Sequence, residues 1–513
     1  MRRIVILLIL AAGAVLWAAP CLAATLEGKF VEDQKWTGQR YEPGSVVPYC
    51  YYLSPGAAAG DNAVYVLYEA KPQLLPKLEG LVREGVIPGG LFLLVNAGTL
   101  PAPALPEGEE DFARARNMRP EEFDQNGVEF TNLIIEELIP HVARSEGIGI
   151  SPNPDRHFVY GASSGGALAW YGLWYRNDFF RRGFLSSPTF SAMRGGEEPM
   201  VLVRKTEPRP IRVYITAGTV EPDYYFGDSF LAALGAVSAL EYAGYAVRSE
   251  LFAQGTHGYA RTDPELWDRM MRWLFAPERV EKPTPCARLA KIIPADSFWK
   301  EEAAALPDKT TRLQVPAGRY QLSRDGALTF LPKKGKRLSI GTPGAVSALA
   351  LSSDLWRLYL ACSGRRFVYA LTLDAQGAPA ADGAQLYKLA PIHEAHDICR
   401  VGCEDLCVSR DDRLFAATQL GVQTINSNGL PDFILPLPGD EAAERVWISG
   451  DKRLWVQAQG GKVYSRRILL SPHDGKTRCL PSKQRYNDGF DYARPHLPEL
   501  FDPLPKGSSL PAR

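Results

Sequence analysis

The chain has 513 residues, 46% of them apolar and 23% charged, with 58 basic and 58 acidic side chains. That length exceeds one ordinary hydrophobic core and predicts two domains. A net charge of zero argues against nucleic acid or an anionic membrane surface as the main partner, since either normally calls for a basic excess.

Arg2 and Arg3 precede an apolar run from Ile4 to Trp17, followed by small residues around Cys21 to Ala24. This reads as a secretory signal over residues 1–23 and predicts a periplasmic or secreted protein; the run is too short for a stable membrane span. Cys21 invites lipid attachment, a reading that Pro20 directly before it disfavours. Removal of the signal leaves Cys50, Cys286, Cys362, Cys399, Cys403, Cys407 and Cys479, an odd set in an oxidising compartment.

From about Thr25 to Ala276, short apolar runs alternate with helical patterns. The expected strands are Val64–Tyr68, Leu91–Val95, His157–Tyr160, Arg212–Thr216 and Arg248–Phe252. The expected helices are Asn126–Ser145, Gly165–Arg176, Phe230–Ala243 and Pro264–Leu274. Such alternation predicts an α/β domain over residues 25–276, built on a mostly parallel sheet. Residues 277–312 are Pro-rich and charged and read as a linker. Over residues 313–470 the pattern changes to "LSRDGALTF", "LSSDLWRLYL", "VSRDDRLFAA" and "ISGDKRLWVQ", each a Ser closely followed by Asp325, Asp354, Asp411 or Asp451 and then a strand. Repeated hairpins of this kind predict an all-β, propeller-like domain of about three to four blades. Residues 471–513 read as an extended tail.

The segment "HFVYGASSGGALAWYGLW" runs from a predicted strand through Gly161-Ala162-Ser163-Ser164-Gly165 straight into a helix. In that setting G-x-S-x-G places a serine on a strained turn at a helix N-terminus, where backbone N–H groups face developing negative charge. Ser163 is the expected nucleophile, and the Ser164 N–H an oxyanion donor. A second donor is expected from Asn96-Ala97-Gly98-Thr99, at Ala97. On such a fold the acid and then the base follow on later strand ends. His257, in "LFAQGTHGYA", stands where the base belongs, and "ITAGTVEPDYYFGD" offers Glu221 or Asp223 as the acid. Among nearby aromatic residues, Tyr224, Tyr225 and Tyr259 are candidates for substrate contact. Trp170 and Trp174, four apart on a helix, suit core packing better.

With "GASSGGALAWYGLWYRNDFFRRGFLSSPTF", "NAG", "RPEEFD", "FTNLIIEELIPHV" and "LEYAGYAVRSELFAQGTHG", the stretch from about Tyr41 to Phe275 resembles the enterochelin-esterase-like group, akin to feruloyl and acetylxylan esterases. The resemblance implies an α/β-hydrolase that uses Ser163, an acid and His257 to cleave a small-molecule or carbohydrate ester, without metal or other cofactor. Such proteins tend to carry "GTNDLD" at the acid loop, where this chain has "GTVEPD", so Glu221 and Asp223 both stay open.

"VSALALSSDLWRLYLA", "EDLCVSRDDRLFAATQLGVQTINSNG" and "GGKVYSRRIL" are similar to the senescence-marker-protein and gluconolactonase propellers. That resemblance implies a divalent-cation site, but only Glu404 falls on a ligand position. A lone carboxylate does not hold a hard cation. The segment "HEAHDICRVGCEDLC" gathers His393, His396, Cys399, Cys403 and Cys407, which fits a disulfide better than zinc because the cysteine gaps are three residues. Two other classes remain as alternatives: a metal-dependent lactonase in the β domain, and a non-catalytic binding protein.

Overall fold

The computed structural model describes residues 26–57, 60–101, 116–124, 127–191, 196–258, 263–380, 386–393 and 402–479. The amino-terminal part carries β1 (Lys29–Thr37), β2 (Val46–Leu53), β3 (Ala63–Tyr68), β4 (Gly90–Val95), β5 (Thr99–Leu100), β6 (Arg116–Asn117), β7 (Phe158–Ala162), β8 (Arg182–Ser186), β9 (Arg212–Val220), the short pair β10 (Asp223–Tyr224) and β11 (Gly227–Asp228), and β12 (Ala246–Thr256). The sheet order is β12-β9-β8-β7-β3-β4-β2-β5-β6, with β1 paired to β2. Pairs from β12 to β4 are parallel, and β2 lies antiparallel against β4.

Strands β3, β4, β7 and β8 are buried along their whole length. Their near-continuous apolar sequences suit a parallel sheet covered on both faces. Helices are α1 (Leu75–Arg83), α2 (Arg119–Glu122), α3 (Ile139–Glu146, continuing from an α-helical turn at Glu129–Asn132 and a π-helical stretch at Leu133–Leu138), α4 (Ser164–Tyr175), α5 (Pro199–Lys205), α6 (Ser229–Tyr242) and α7 (Leu266–Phe275). One core packs α3, α4 and α6 on one face, and a second packs α1 and α7 on the other. This mostly parallel, two-sided arrangement fits an α/β-hydrolase. No helix among the described residues is long and apolar enough to cross a membrane.

Three strands escape the apolar-run pattern. β1 is polar and largely accessible, β2 carries Pro48, and β8 opens with Arg182. Arg182 is nevertheless buried, its guanidinium donating to the carbonyls of Asp155 (2.7 Å), Pro277 (2.8 Å) and Glu278 (3.0 Å). A buried charge is tolerated where hydrogen bonds replace its hydration.

The carboxyl-terminal part forms four antiparallel sheets of four strands each. The first spans Arg312–Val315 to Leu338–Ile340, the second Val346–Leu351 to Leu386–Pro391, and the third Asp405–Val408 to Pro431–Leu435. The fourth joins Ala443–Ile448, Arg453–Ala458 and Val463–Arg467 to Lys300–Glu301, so the segment read as a linker supplies an edge strand. Leu289, Ile292 and Ile293 of that segment are buried with the third and fourth sheets. Further apolar cores join the first sheet to the second and the second to the third. The repeated Ser–Asp signature is turn chemistry. Ser323, Ser352 and Ser409 Oγ donate to Asp325, Asp354 and Asp411 at 2.5, 2.6 and 2.5 Å, and Ser449 does the same with Asp451.

The two parts meet along residues 205–209. Thr206 bridges to Ile434, and the Glu207 N–H donates to the Ile434 carbonyl (2.8 Å). Arg209 clasps Asp440 through both terminal nitrogens (2.8 and 2.6 Å). The Glu207 carboxylate receives Arg466 twice (2.6 and 3.1 Å) and Lys282 once (2.7 Å). Burial alone would raise the Glu207 pKa, but Arg466 and Lys282 overcome it and hold it below the ordinary carboxylate range. Its contribution to stability is therefore present above the ordinary carboxylate pKa and fades as pH falls through the lowered value. Glu207→Ala leaves Arg466, 2% exposed, without its anion. The expected cost is about 3–5 kcal/mol at neutral pH, read by urea denaturation, with the gap to wild type narrowing at acid pH.

Candidate active site

β7 delivers Ser163 at its carboxyl end, and α4 begins at the next residue. Ser163 has φ 57° and ψ −127°, a left-handed conformation rare for a residue with a side chain. Such strain persists only where the surroundings impose it. Here the Ser163 N–H donates to the Ser186 carbonyl (3.0 Å), and its own carbonyl accepts from Gly166 (2.8 Å) and Thr189 (3.1 Å). The two glycines of the motif are not equivalent. A Cβ on Gly161 would lie 1.8 Å from the Gly165 carbonyl oxygen, so only glycine lets the strand pass under the helix start. A Cβ on Gly165 would rest in ordinary contact with Tyr68 and Phe123, at 3.5 Å and beyond.

β9 and β12 carry the other two groups. They run parallel, and a Cβ on Gly218 would meet the Gly255 carbonyl at 2.0 Å. That close approach brings the loops beyond them together, and His257 Nδ1–H donates to Glu221 Oε2 at 2.5 Å. Glu221 Oε1 accepts from Ser187 Oγ (2.6 Å) and from the Gly218 N–H (3.0 Å). Burial works to raise the Glu221 pKa, but the bonds from His257, Ser187 and Gly218 outweigh it and keep the carboxylate below its ordinary range. Asp223 lies exposed on β10, opposite Asp228 on β11, and the imidazole is bonded to Glu221 instead.

Ser164 is buried as the first residue of α4. Ala97 follows β4, and β3 stands between β4 and the serine strand β7. The loop next to Ser163 is the one after β3, where Glu69 has φ 51° and donates its N–H to the Val95 carbonyl (2.9 Å). The residue that follows, Ala70, lies between β3 and the helical turn that leads into α1. Two parallel apolar strands in chain order do not reveal which of them is inserted next to β7.

Tyr225 is fully exposed and Tyr224 is 43% exposed, and both rings contact Phe226, at 4.8 and 4.7 Å between centroids. Tyr259 lies outside the described residues. Trp170 and Trp174 are buried and stacked at 5.1 Å, in the core of the helix face. In the β domain, Glu404 accepts from Ser363 Oγ (2.9 Å) and pairs with Lys309 (3.8 Å). Cys403 and Cys407 are free thiols, whereas His396 and Cys399 lie outside the described residues. His393 accepts from Lys205 Nζ at 2.7 Å. Two groups near the site carried no motif of their own, Ser187 and Thr189 of "LSSPTF". Thr189 Oγ1 lies 3.3 Å from Ser163 Oγ.

No family model matches the chain, and no curated protein matches it either. Among solved structures it is similar to the enterobactin esterase of Shigella flexneri (16% identity, 49% of this chain, TM-score 0.35). The match spans 59% of that protein's length. It is also similar to the feruloyl esterase module of Clostridium thermocellum (13% identity, 49% of this chain and 89% of that one, TM-score 0.33). A third is the BES protein of Bacillus cereus (17% identity, 47% and 94%, TM-score 0.34).

The glycine asymmetry has a direct test. Gly161→Ala is expected to cost about 3 kcal/mol, the upper end for overpacking, whereas Gly165→Ala stays close to wild type; thermal melting of both variants checks the pair.

Proposed function

We propose that the chain is a serine carboxylesterase working through an acyl-enzyme, with Ser163 as nucleophile, His257 as base and Glu221 as the acid that orients it. The observation that carries this reading is the Glu221–His257 bond at the ends of two adjacent strands of the sheet that also presents Ser163, held at a positive φ, at the end of β7. A carboxylate on Nδ1 fixes the tautomer that leaves Nε2 free to accept a proton, and it stabilises the imidazolium. Ser163 Oγ forms a bond to the ester carbonyl carbon as its proton passes to His257 Nε2. The tetrahedral oxyanion faces the Ser164 N–H and the Ala70 N–H. Collapse of the oxyanion breaks the bond to the alcohol, which leaves with the proton from His257. Water then repeats the sequence on the acyl-enzyme and frees the carboxylic acid.

For substrate we propose an ester borne on a carbohydrate or similar natural product, with Tyr224 and Tyr225 contacting its apolar part. Two solvent-exposed aromatic rings on the acid loop support that assignment. We read the chain as two domains dividing near Ala276, the second a propeller-like stack. Residues 1–23 direct export, so amino-terminal sequencing of the mature protein from its native host should begin near Ala24.

Hydrolysis of p-nitrophenyl acetate, methyl ferulate and acetylated xylan tests the reading. Ser163→Ala should lower kcat/KM at least about 10³-fold and Glu221→Gln about 10²–10⁴-fold, while Asp223→Asn stays within about twofold, since surface changes away from a site rarely matter. Turnover that survives Ser163→Ala overturns the serine mechanism.

A further inference from the structure

The loop after β8 reaches both ends of the candidate triad. Ser187 is 5% exposed and Thr189 7%, so both hydroxyls are fixed by packing. Ser187 Oγ donates to Glu221 Oε1 at 2.6 Å, and Thr189 Oγ1 sits 3.3 Å from Ser163 Oγ. The backbone ties are as direct. The Thr189 N–H donates to the Ser163 carbonyl (3.1 Å), and the Ser187 N–H donates to the Thr216 carbonyl of β9 (2.6 Å). Ser187 itself has φ 44°, a conformation in which glycine would be more comfortable. A serine kept there is paying backbone strain, and what it supplies that glycine cannot is the hydroxyl.

That hydroxyl has one geometric task. Glu221 must present a single oxygen to His257 along the Nδ1–H axis. The other oxygen, Oε1, is held by two donors, the Gly218 N–H and Ser187 Oγ. Gly218 lies three residues before Glu221, near the end of β9, so its bond ties Glu221 only to its own strand. Ser187 comes from the neighbouring strand and anchors the carboxylate to the body of the sheet. From the same loop Thr189 meets the nucleophile, so one rigid segment sets the serine and the acid relative to each other.

We infer that Ser187 is a positioning residue for the proposed reaction, holding Glu221 in register with His257, and that Thr189 sets the resting orientation of the Ser163 hydroxyl. The inference rests on the triad reading above. Neither residue contacts the reacting carbonyl in this scheme, so loss of either should act on kcat and leave KM largely alone.

Ser187→Gly is the decisive variant, because glycine relieves the left-handed backbone while it removes the hydroxymethyl group that carries the donor. The expected result is an unchanged or raised melting temperature, KM within about twofold, and kcat lowered about tenfold to a hundredfold, the size of one hydrogen bond to a charged group. Proton NMR supplies a readout that needs no substrate. The downfield His257 Nδ1 proton, present in wild type and in Ser163→Ala, should broaden or move upfield in Ser187→Gly. Thr189→Val should lower kcat severalfold without touching that resonance. Wild-type kcat and an unmoved resonance in Ser187→Gly overturn the inference while Ser163→Ala is still inactive. Loss of the triad reading would show separately, as turnover surviving Ser163→Ala.

Discussion

The passage of Gly161 beneath the Gly165 carbonyl is the constraint on which the active-site end of this molecule depends. Parallel strands buried on both faces must hand the chain directly to a helix. A turn that tight forces its central residue to a positive φ. Once Ser163 occupies that residue, its side chain stands at the carboxyl edge of the sheet and the helix N-terminus faces the same point. The second close approach, Gly218 against the Gly255 carbonyl, does the same for the acid and the base. Two backbone contacts too short for any Cβ thereby gather groups that lie far apart in the chain.

Two carboxylates do the rest, each held by several donors. Glu221 receives an imidazole, a hydroxyl and an amide; Glu207 receives an arginine twice and a lysine. In both, the donors overcome the desolvation that would otherwise raise the pKa of the group. The outcomes differ because the partners differ. Arg466 and Lys282 lock the two parts of the chain together, while His257 and Ser187 join loops at the ends of neighbouring strands.

Much of the α/β part is legible in order of residues. The apolar runs of β3, β4 and β7, the small-residue turn into α4, and a histidine past the last strand are all local patterns with a local cause. β1, β2 and β8 are not legible, because an exposed edge, a proline and a buried arginine each break the apolar run. Glu221 and Asp223 are equivalent as sequence, two carboxylates on one loop. They separate only when β9 and β12 pair and leave one facing the imidazole and the other facing water. Ser187 and Thr189 are invisible for a related reason, since their partners lie 34 and 26 positions away.

The amino-acid sequence by itself determined what is local: most of the apolar strands and the helices, where glycine alone can turn, and which side chains are candidates for nucleophile, base and acid. Strand order, and with it the placing of β3 rather than β4 beside β7, was decided only by tertiary structure. So were the acid that meets His257 and the carboxylate that joins the two parts. Backbone preference acts over a few residues, whereas hydrogen bonds between distant loops exist only after the sheet has set their separation.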